Sequence, residues 1–367
     1  MRKTLADKAR LVPAIVLVGI LVFSSLSSLL PSQGWTVVSP ISTASADSTQ
    51  LDLRTQVLDP AVNYLYFNYN PDRGLNYESP DNQSTYWVYS DNYLVSYILG
   101  IYDPDNTNWT GRAVNITNKM KDYLDSNSSI TDHINQYMVL TESEPINESV
   151  SYFHGSLPEG TEVKKGDDYV IKTHINNLTD IHPTAENYSD TAFLQAIYYS
   201  KLGYGYESEA LKAYDDGVSC SVNLTNGTDF NGLGFKDKAF NDTYRDYGRE
   251  EYQTYKLALY IYASRMLRQD YDQRAFDTLL AMRQPDGGFK TGYDSSLNAQ
   301  NHSTNMETTS LAVLALNFEE ADDGVDSLLA IAAIVVIALA VIVVVAYFLI
   351  RKKSAIPPQA PITPPET

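Results

Sequence analysis

Between Leu328 and Ile350 the chain runs through 23 consecutive uncharged residues, almost all of them apolar or small. A helix that is apolar on every face belongs in lipid or in the centre of a large core, not on a wet surface. At about 1.5 Å per residue this run reaches about 34 Å, enough to cross the hydrocarbon of a bilayer. Asp322, Asp323 and Asp326 precede it, and Arg351, Lys352 and Lys353 follow it. Basic residues stay on the cytoplasmic side. The pattern therefore predicts one transmembrane helix over 327–350 in the cell membrane. A Pro-rich cytoplasmic tail, 351–367, follows it, and the bulk of the chain lies outside the cell.

The N-terminus agrees with that orientation. Arg2, Lys3, Lys8 and Arg10 lead into an apolar run from Leu11 to about Leu30, and Ala44-Ser45-Ala46 offers a small-residue cleavage site. Residues 1–46 read as a secretory signal peptide, with an uncleaved signal-anchor as the alternative. Eleven Asn-x-Ser/Thr sequons lie between the two apolar segments, at Asn82, Asn108, Asn115, Asn127, Asn147, Asn177, Asn187, Asn223, Asn226, Asn241 and Asn301. Such enrichment is expected of a translocated glycoprotein.

Charge narrows the partners. The chain carries −18, and because both ends are basic the segment 47–326 holds about −23. A surface this acidic repels nucleic acid and anionic headgroups, so no nucleic-acid partner is expected. Cys220 is the single cysteine, which excludes an internal disulfide framework.

Within 47–326, four apolar helices open with comparable residues: Tyr89-Ser90-Asp91, Tyr188-Ser189-Asp190, Tyr252-Gln253-Thr254 and Asn305-Met306-Glu307. More amphipathic segments precede each, at about Leu51–Phe67, Ala113–Leu124, Glu207–Gly217 and Tyr271–Met282. Gly74-Leu75, Gly234-Phe235 and Gly288-Phe289 supply turns that plug an apolar residue into the core. The alternation predicts αα-hairpins with apolar helices inside and amphipathic ones outside. An insertion over about 130–183 reads as a small β-containing unit, with strands at Tyr137–Leu140 and Tyr169–Lys172.

The run Gln284-Pro285-Asp286-Gly287-Gly288-Phe289, followed by Glu307-Thr308-Thr309-Ser310-Leu311-Ala312, resembles the repeat of the α/α-toroid superfamily, which includes terpenoid cyclases and protein prenyltransferases. The resemblance implies a mainly α fold of αα-hairpins in a complete or incomplete ring. The acid motif of the cyclases is absent, and Cys220 has no suitably placed histidine for a prenyltransferase zinc. The resemblance therefore brings the fold and no catalytic residue, and neither cofactor nor metal is expected.

Asp91, Asp190 and Glu307 are the candidate acids, since matching places on the inner helices bring them to one mouth if the ring closes. Carboxyls gathered there can do acid/base work on a glycosidic bond or bind a cation. Alternatively, each caps its own helix. Trp87, Tyr89, Tyr188 and Tyr252 are candidate ligand-binding rings, amphipathic enough to stack on a sugar or to wall a half-wet barrel. Two functions are consistent with these features. One is an ectodomain that binds a glycan, peptide or envelope protein; the other is an anchored glycoside hydrolase or polysaccharide lyase.

Overall fold

The apolar sequence pattern is realised as helices packed on helices, with short sheets in the connections. The computed structural model describes residues 53–126, 133–141, 160–175, 188–225, 231–237, 244–246 and 249–317. A π-helical turn, Arg54–Leu58, runs directly into α1 (Asp59–Phe67), and Pro60, just past the junction, offers no N–H to the helical ladder there. The next helices are α2 (Asp91–Ile101), α3 (Thr107–Asp125) and the single turn α4 (Met138–Thr141). They are followed by α5 (Ser189–Leu202), α6 (Glu207–Val218), α7 (Thr254–Met266), α8 (Gln273–Ala281) and α9 (Met306–Leu316).

Four helices form the inner layer, packed side by side in the order α2, α9, α7, α5. Behind them lie the amphipathic helices: α3 on α2, α1 on α9, α8 on α7 and α6 on α5. The tightest hairpins thus join an inner helix to the outer helix that follows it, whereas the sequence pattern suggested the one before. Helix α1, from the beginning of the domain, closes against α9 at its end. Every residue of α9 except Glu307 is buried. Phe193 on α5 shows why the layers hold: its ring meets Tyr214 of α6, Phe235 and Tyr260 of α7 within 5.2–6.2 Å.

The expectation of a mainly α toroid with one β insertion needs correction. Among the described residues about half are helical, and their strands form four small sheets. Strands β1 (Tyr69–Asn70) and β2 (Leu75–Asn76) form one hairpin. In the second sheet β3 (Thr85–Trp87) runs parallel to β6 (Val170–Ile175), and β4 (His133–Ile134) and β5 (Thr161–Lys165) also pair with β6. The third is the hairpin of β7 (Ser221–Thr225) and β8 (Asn231–Phe235). The last joins β9 (Tyr244–Asp246), β10 (Arg249–Gln253) and β11 (Gly292–Asp294). The links between helices are long enough to pair their own backbone, so sheet replaces the tight turns that hairpin periodicity alone suggests. Tyr137–Leu140, expected as strand, instead enters the helical turn α4.

The expected membrane span is also corrected. Among the described residues no helix is long and apolar enough to cross a membrane. The apolar inner helices α2 and α9 have 11 residues each. At about 1.5 Å per residue they reach only about 16 Å, and their apolar surroundings are protein. The longest, α3, has 19 residues and keeps a polar face. Leu328–Ile350 lies outside the described residues, as do 1–46 and 351–367.

Two glycines show how the connections are seated. Gly287 has φ +94, and a Cβ there would meet the Pro60 carbonyl at 2.1 Å, so this turn rests directly on the backbone of α1. Phe289, two residues on, is fully buried. Gly74 has φ +71, and Leu75 after it fills the core in the same way.

Candidate functional site

The first turns of the inner helices meet at one end of the bundle. The residues that meet there are Asp91 on α2, Asp190 on α5, Tyr255 on α7 and Glu307 on α9, together with Glu78 and Tyr137 from the connections. Tyr137 donates from its hydroxyl to Glu307 Oε1 at 2.6 Å. Tyr255 donates to Asp190 Oδ2 at 2.7 Å. Asp91 is 2 % exposed; Ser90 Oγ donates to its Oδ1 at 3.1 Å, while Oδ2 is buried with no hydrogen-bond partner. The hydroxyls of Thr254, beside Tyr255, and Ser310, one turn beyond Glu307, are likewise buried without a partner.

Helix capping does not account for these carboxyls as a set. At α9 the cap is Asn305, whose Oδ1 accepts from Thr308 N, which leaves Glu307 free to take the Tyr137 hydroxyl. At α5 the Ser189 backbone N–H is satisfied by Asp237 Oδ1 at 3.0 Å. Asp190 takes Thr191 N on one oxygen and turns the other to Tyr255. Ser90, at the start of α2, sits at φ +57, a strained conformation for a residue with a side chain.

Burial and mutual repulsion hold protons in this cluster. Asp91 is pushed well above the usual carboxylate range, first by loss of water and then by the charges of Glu307 and Glu78. Glu307 is raised mainly by burial; the Tyr137 hydrogen bond opposes the shift, and Glu78 and Asp190 add to it. Glu78 is raised by burial against hydrogen bonds from Trp87 and Asn82 and the charge of Lys172. Tyr137 and Tyr255 keep their protons far above their ordinary value, by burial and then by the charges of Glu307 and Asp190 respectively.

Behind the cluster lies a buried ion pair. Lys256 Nζ meets Asp237 Oδ2 at 2.6 Å, with Lys256 only 3 % exposed. Asp237 also accepts from Ser189 Oγ at 3.1 Å. Ser189 and Lys256 are the chain neighbours of Asp190 and Tyr255, so the pair fixes the first turns of α5 and α7 where those two side chains meet.

The expected rings divide. Trp87 is half-buried, stacked on His174 with centroids 4.5 Å apart and hydrogen-bonded to Glu78 at the edge of the cluster. Tyr89 and Tyr188 are half-buried. Tyr252 is buried against Tyr293, with centroids 5.8 Å apart, so its ring is packed in the core. Sequence reasoning missed Tyr255, although it occupies on α7 the second helical position that Asp190 and Glu307 occupy on α5 and α9. It also missed Tyr137 and Glu78, which come from connections where no periodicity marks them.

Among the sequon asparagines, Asn108, Asn115, Asn223 and Asn301 are exposed, and Asn82 donates to Glu78 Oε2. Asn127, Asn147, Asn177, Asn187, Asn226 and Asn241 lie outside the described residues. Cys220 is buried, with Sγ directed to the Asp216 carbonyl. Among the described residues no cluster of His, Cys, Asp or Glu is arranged to hold a metal ion. Comparison with protein-family models and with curated proteins returns no match to this chain.

Proposed function

We propose that this domain binds a hydroxyl-rich ligand, a glycan, at the end of the bundle where the carboxyls and tyrosines gather. The observation that carries the reading is Asp91 Oδ2, a buried polar atom without a partner inside a cluster of hydrogen-bonding groups. Leaving such an atom unserved costs about 1–3 kcal/mol, a cost that a ligand hydroxyl would offset. Trp87 and Tyr89 add half-buried rings of the kind that stack on a pyranose. The sequons support a domain outside the cell, where glycans are abundant.

A second reading is favoured by one specific feature. Asp91 holds its proton above the ordinary carboxylate range, as a general acid for glycosidic cleavage does, and the Asp190 and Glu307 carboxyls lie in the same cluster. The two readings separate on one experiment. Asp91→Asn and Glu307→Gln are compared with the parent on a panel of polysaccharides, scoring binding and release of reducing or unsaturated ends. Binding that the amides weaken, with no product from any variant, supports recognition alone. Product formed by the parent and lost in folded amide variants supports hydrolysis or elimination. If no polysaccharide binds or is cut, the glycan assignment is wrong.

A further inference from the structure

The inner helices have a second end, and the structure opens there. Where α5 finishes, α6 begins and α7 finishes, Tyr204, Leu211 and Met266 line a cleft of about 270 Å³ together with Glu207, Arg268 and Gln269. Helices α5 and α7, of 14 and 13 residues, separate it from the carboxyl cluster by about 20 Å, at about 1.5 Å per residue.

Two features of the wall are costly to the fold. Tyr204 is 99 % exposed, and it stands between Gly203 at φ +75 and Gly205 at φ +97. A Cβ at either glycine would meet nothing within 4 Å, so the turn holds the ring out at the lip of the cleft. Tyr199, in the same wall, lies parallel to Tyr206 with centroids 6.1 Å apart. The second feature is the end of α7. Gln269 N–H donates to the Ser264 carbonyl at 2.8 Å and Arg268 N–H to the Arg265 carbonyl at 3.2 Å, the pair of bonds of a Schellman turn. Glycine is the usual residue at the left-handed position of that turn, yet here Arg268 holds it at φ +54. The strain puts a guanidinium where glycine would leave the wall bare.

The lining narrows the ligand. A charged group would pair with one of Arg268 and Glu207 and be repelled by the other, whereas a sugar hydroxyl accepts from the first and donates to the second. An apolar ligand would strip water from both without replacing their hydrogen bonds. Tyrosine rings offer a flat face to the C–H groups of a pyranose. The volume lies just below the range of about 300–1,000 Å³ usual for small-molecule sites, room for one ring. No sequon lies between Asn187 and Asn223 or between Asn241 and Asn301, so the stretches that build the cleft carry no attachment point for a covering glycan.

We propose that this cleft is a second binding site, separate from the carboxyl end, which holds one neutral sugar ring of a glycan. The C–H face of the ring lies on Tyr204, and its hydroxyls pair with Glu207, Arg268 and Gln269.

The test is calorimetric titration of the full chain with cellotetraose, whose equatorial hydroxyls leave both ring faces to C–H groups. The tetramer of β-1,4-linked glucuronate is the charged control. Two variants are chosen to keep the fold: Tyr204→Ala removes an exposed ring, and Arg268→Gly restores the usual residue of the turn. Circular dichroism melting should show both folded. Each should weaken cellotetraose binding at least about fivefold, and the glucuronate tetramer should bind the parent at least about fivefold more weakly than cellotetraose. Saturation-transfer NMR should place the sugar C–H protons, rather than a charged group, against the protein. Cellotetraose that fails to bind the parent, binds no better than the glucuronate tetramer, or binds both folded variants like the parent overturns the inference. If binding is lost in Asp91→Asn and kept in Tyr204→Ala and Arg268→Gly, this inference falls and the glycan reading of the carboxyl end stands.

Discussion

Asp91 sits in an environment that is costly for a carboxyl. It begins an inner helix after a strained Ser90, lies buried, and leaves one oxygen unserved. An acid that holds its proton more tightly in the folded than in the unfolded chain stabilises the fold at low pH. That contribution is lost as pH rises from the ordinary carboxylate range through the folded-state value. Asp91 and Glu307 both shift in this direction. Asp91→Asn should therefore flatten the decline of stability above about pH 5 and make the chain more stable than the parent by about 1–3 kcal/mol near pH 8. Urea midpoints for parent and variant across that range check it. A variant less stable at both ends of the range would mean that the carboxylate is compensated in the fold. A gain in stability coupled to a loss of binding is the usual mark of a side chain kept for function.

Between helices, the decisive contact is the Asp237–Lys256 pair that joins the first turns of α5 and α7. A buried pair loses about 3–5 kcal/mol when one partner is removed, because the other charge is stranded, whereas replacing both is much less costly. Lys256→Met and Asp237→Asn should each lower the urea midpoint strongly, and the double variant should recover most of the loss. Near-additive losses in the double-mutant cycle would show that the two side chains are not coupled. The same pair holds Asp190 to Tyr255, so 13C spectra of labelled tyrosine should show the Tyr255 resonance, assigned with Tyr255→Phe, moving in the folded double variant. An unchanged resonance would remove the positioning role while leaving the ion pair intact. Neither partner was legible in the sequence. Lys256 lies on an apolar helix where a lone lysine has no visible counterpart, and Asp237 is distant in sequence from α7.

Across the whole molecule, the two ends of the described region are bound together. Helix α1 covers α9, Tyr64 donates to Thr304 Oγ1 at 2.9 Å, and Gly287 rests on Pro60. Helix α9 is apolar on almost all faces, so exposing it costs the burial of several large side chains, each worth about 1.5–3 kcal/mol. Deleting residues 53–68 should leave a chain that unfolds without a cooperative transition, or melts at least about 10 °C lower, by circular dichroism. A truncated chain with an unchanged sharp transition would show that α9 is covered by other elements.

The sequence by itself determined the positions of the inner helices and the matched acidic residues at their starts. Helical periodicity and first-turn chemistry are local, and a window of a few residues contains them. Its apolar pattern also identified which helices lie inside, since burial requires apolar residues on every face. Only the tertiary structure decided that α2, α5 and α7 each pair with the outer helix that follows while α9 takes α1, that the described connections pair into four sheets, and that Tyr252 is core while Tyr255 meets Asp190. Those outcomes depend on which distant backbone and side chains come within hydrogen-bonding reach. No short-range pattern encodes contacts such as Tyr137 with Glu307, formed across 170 residues of chain.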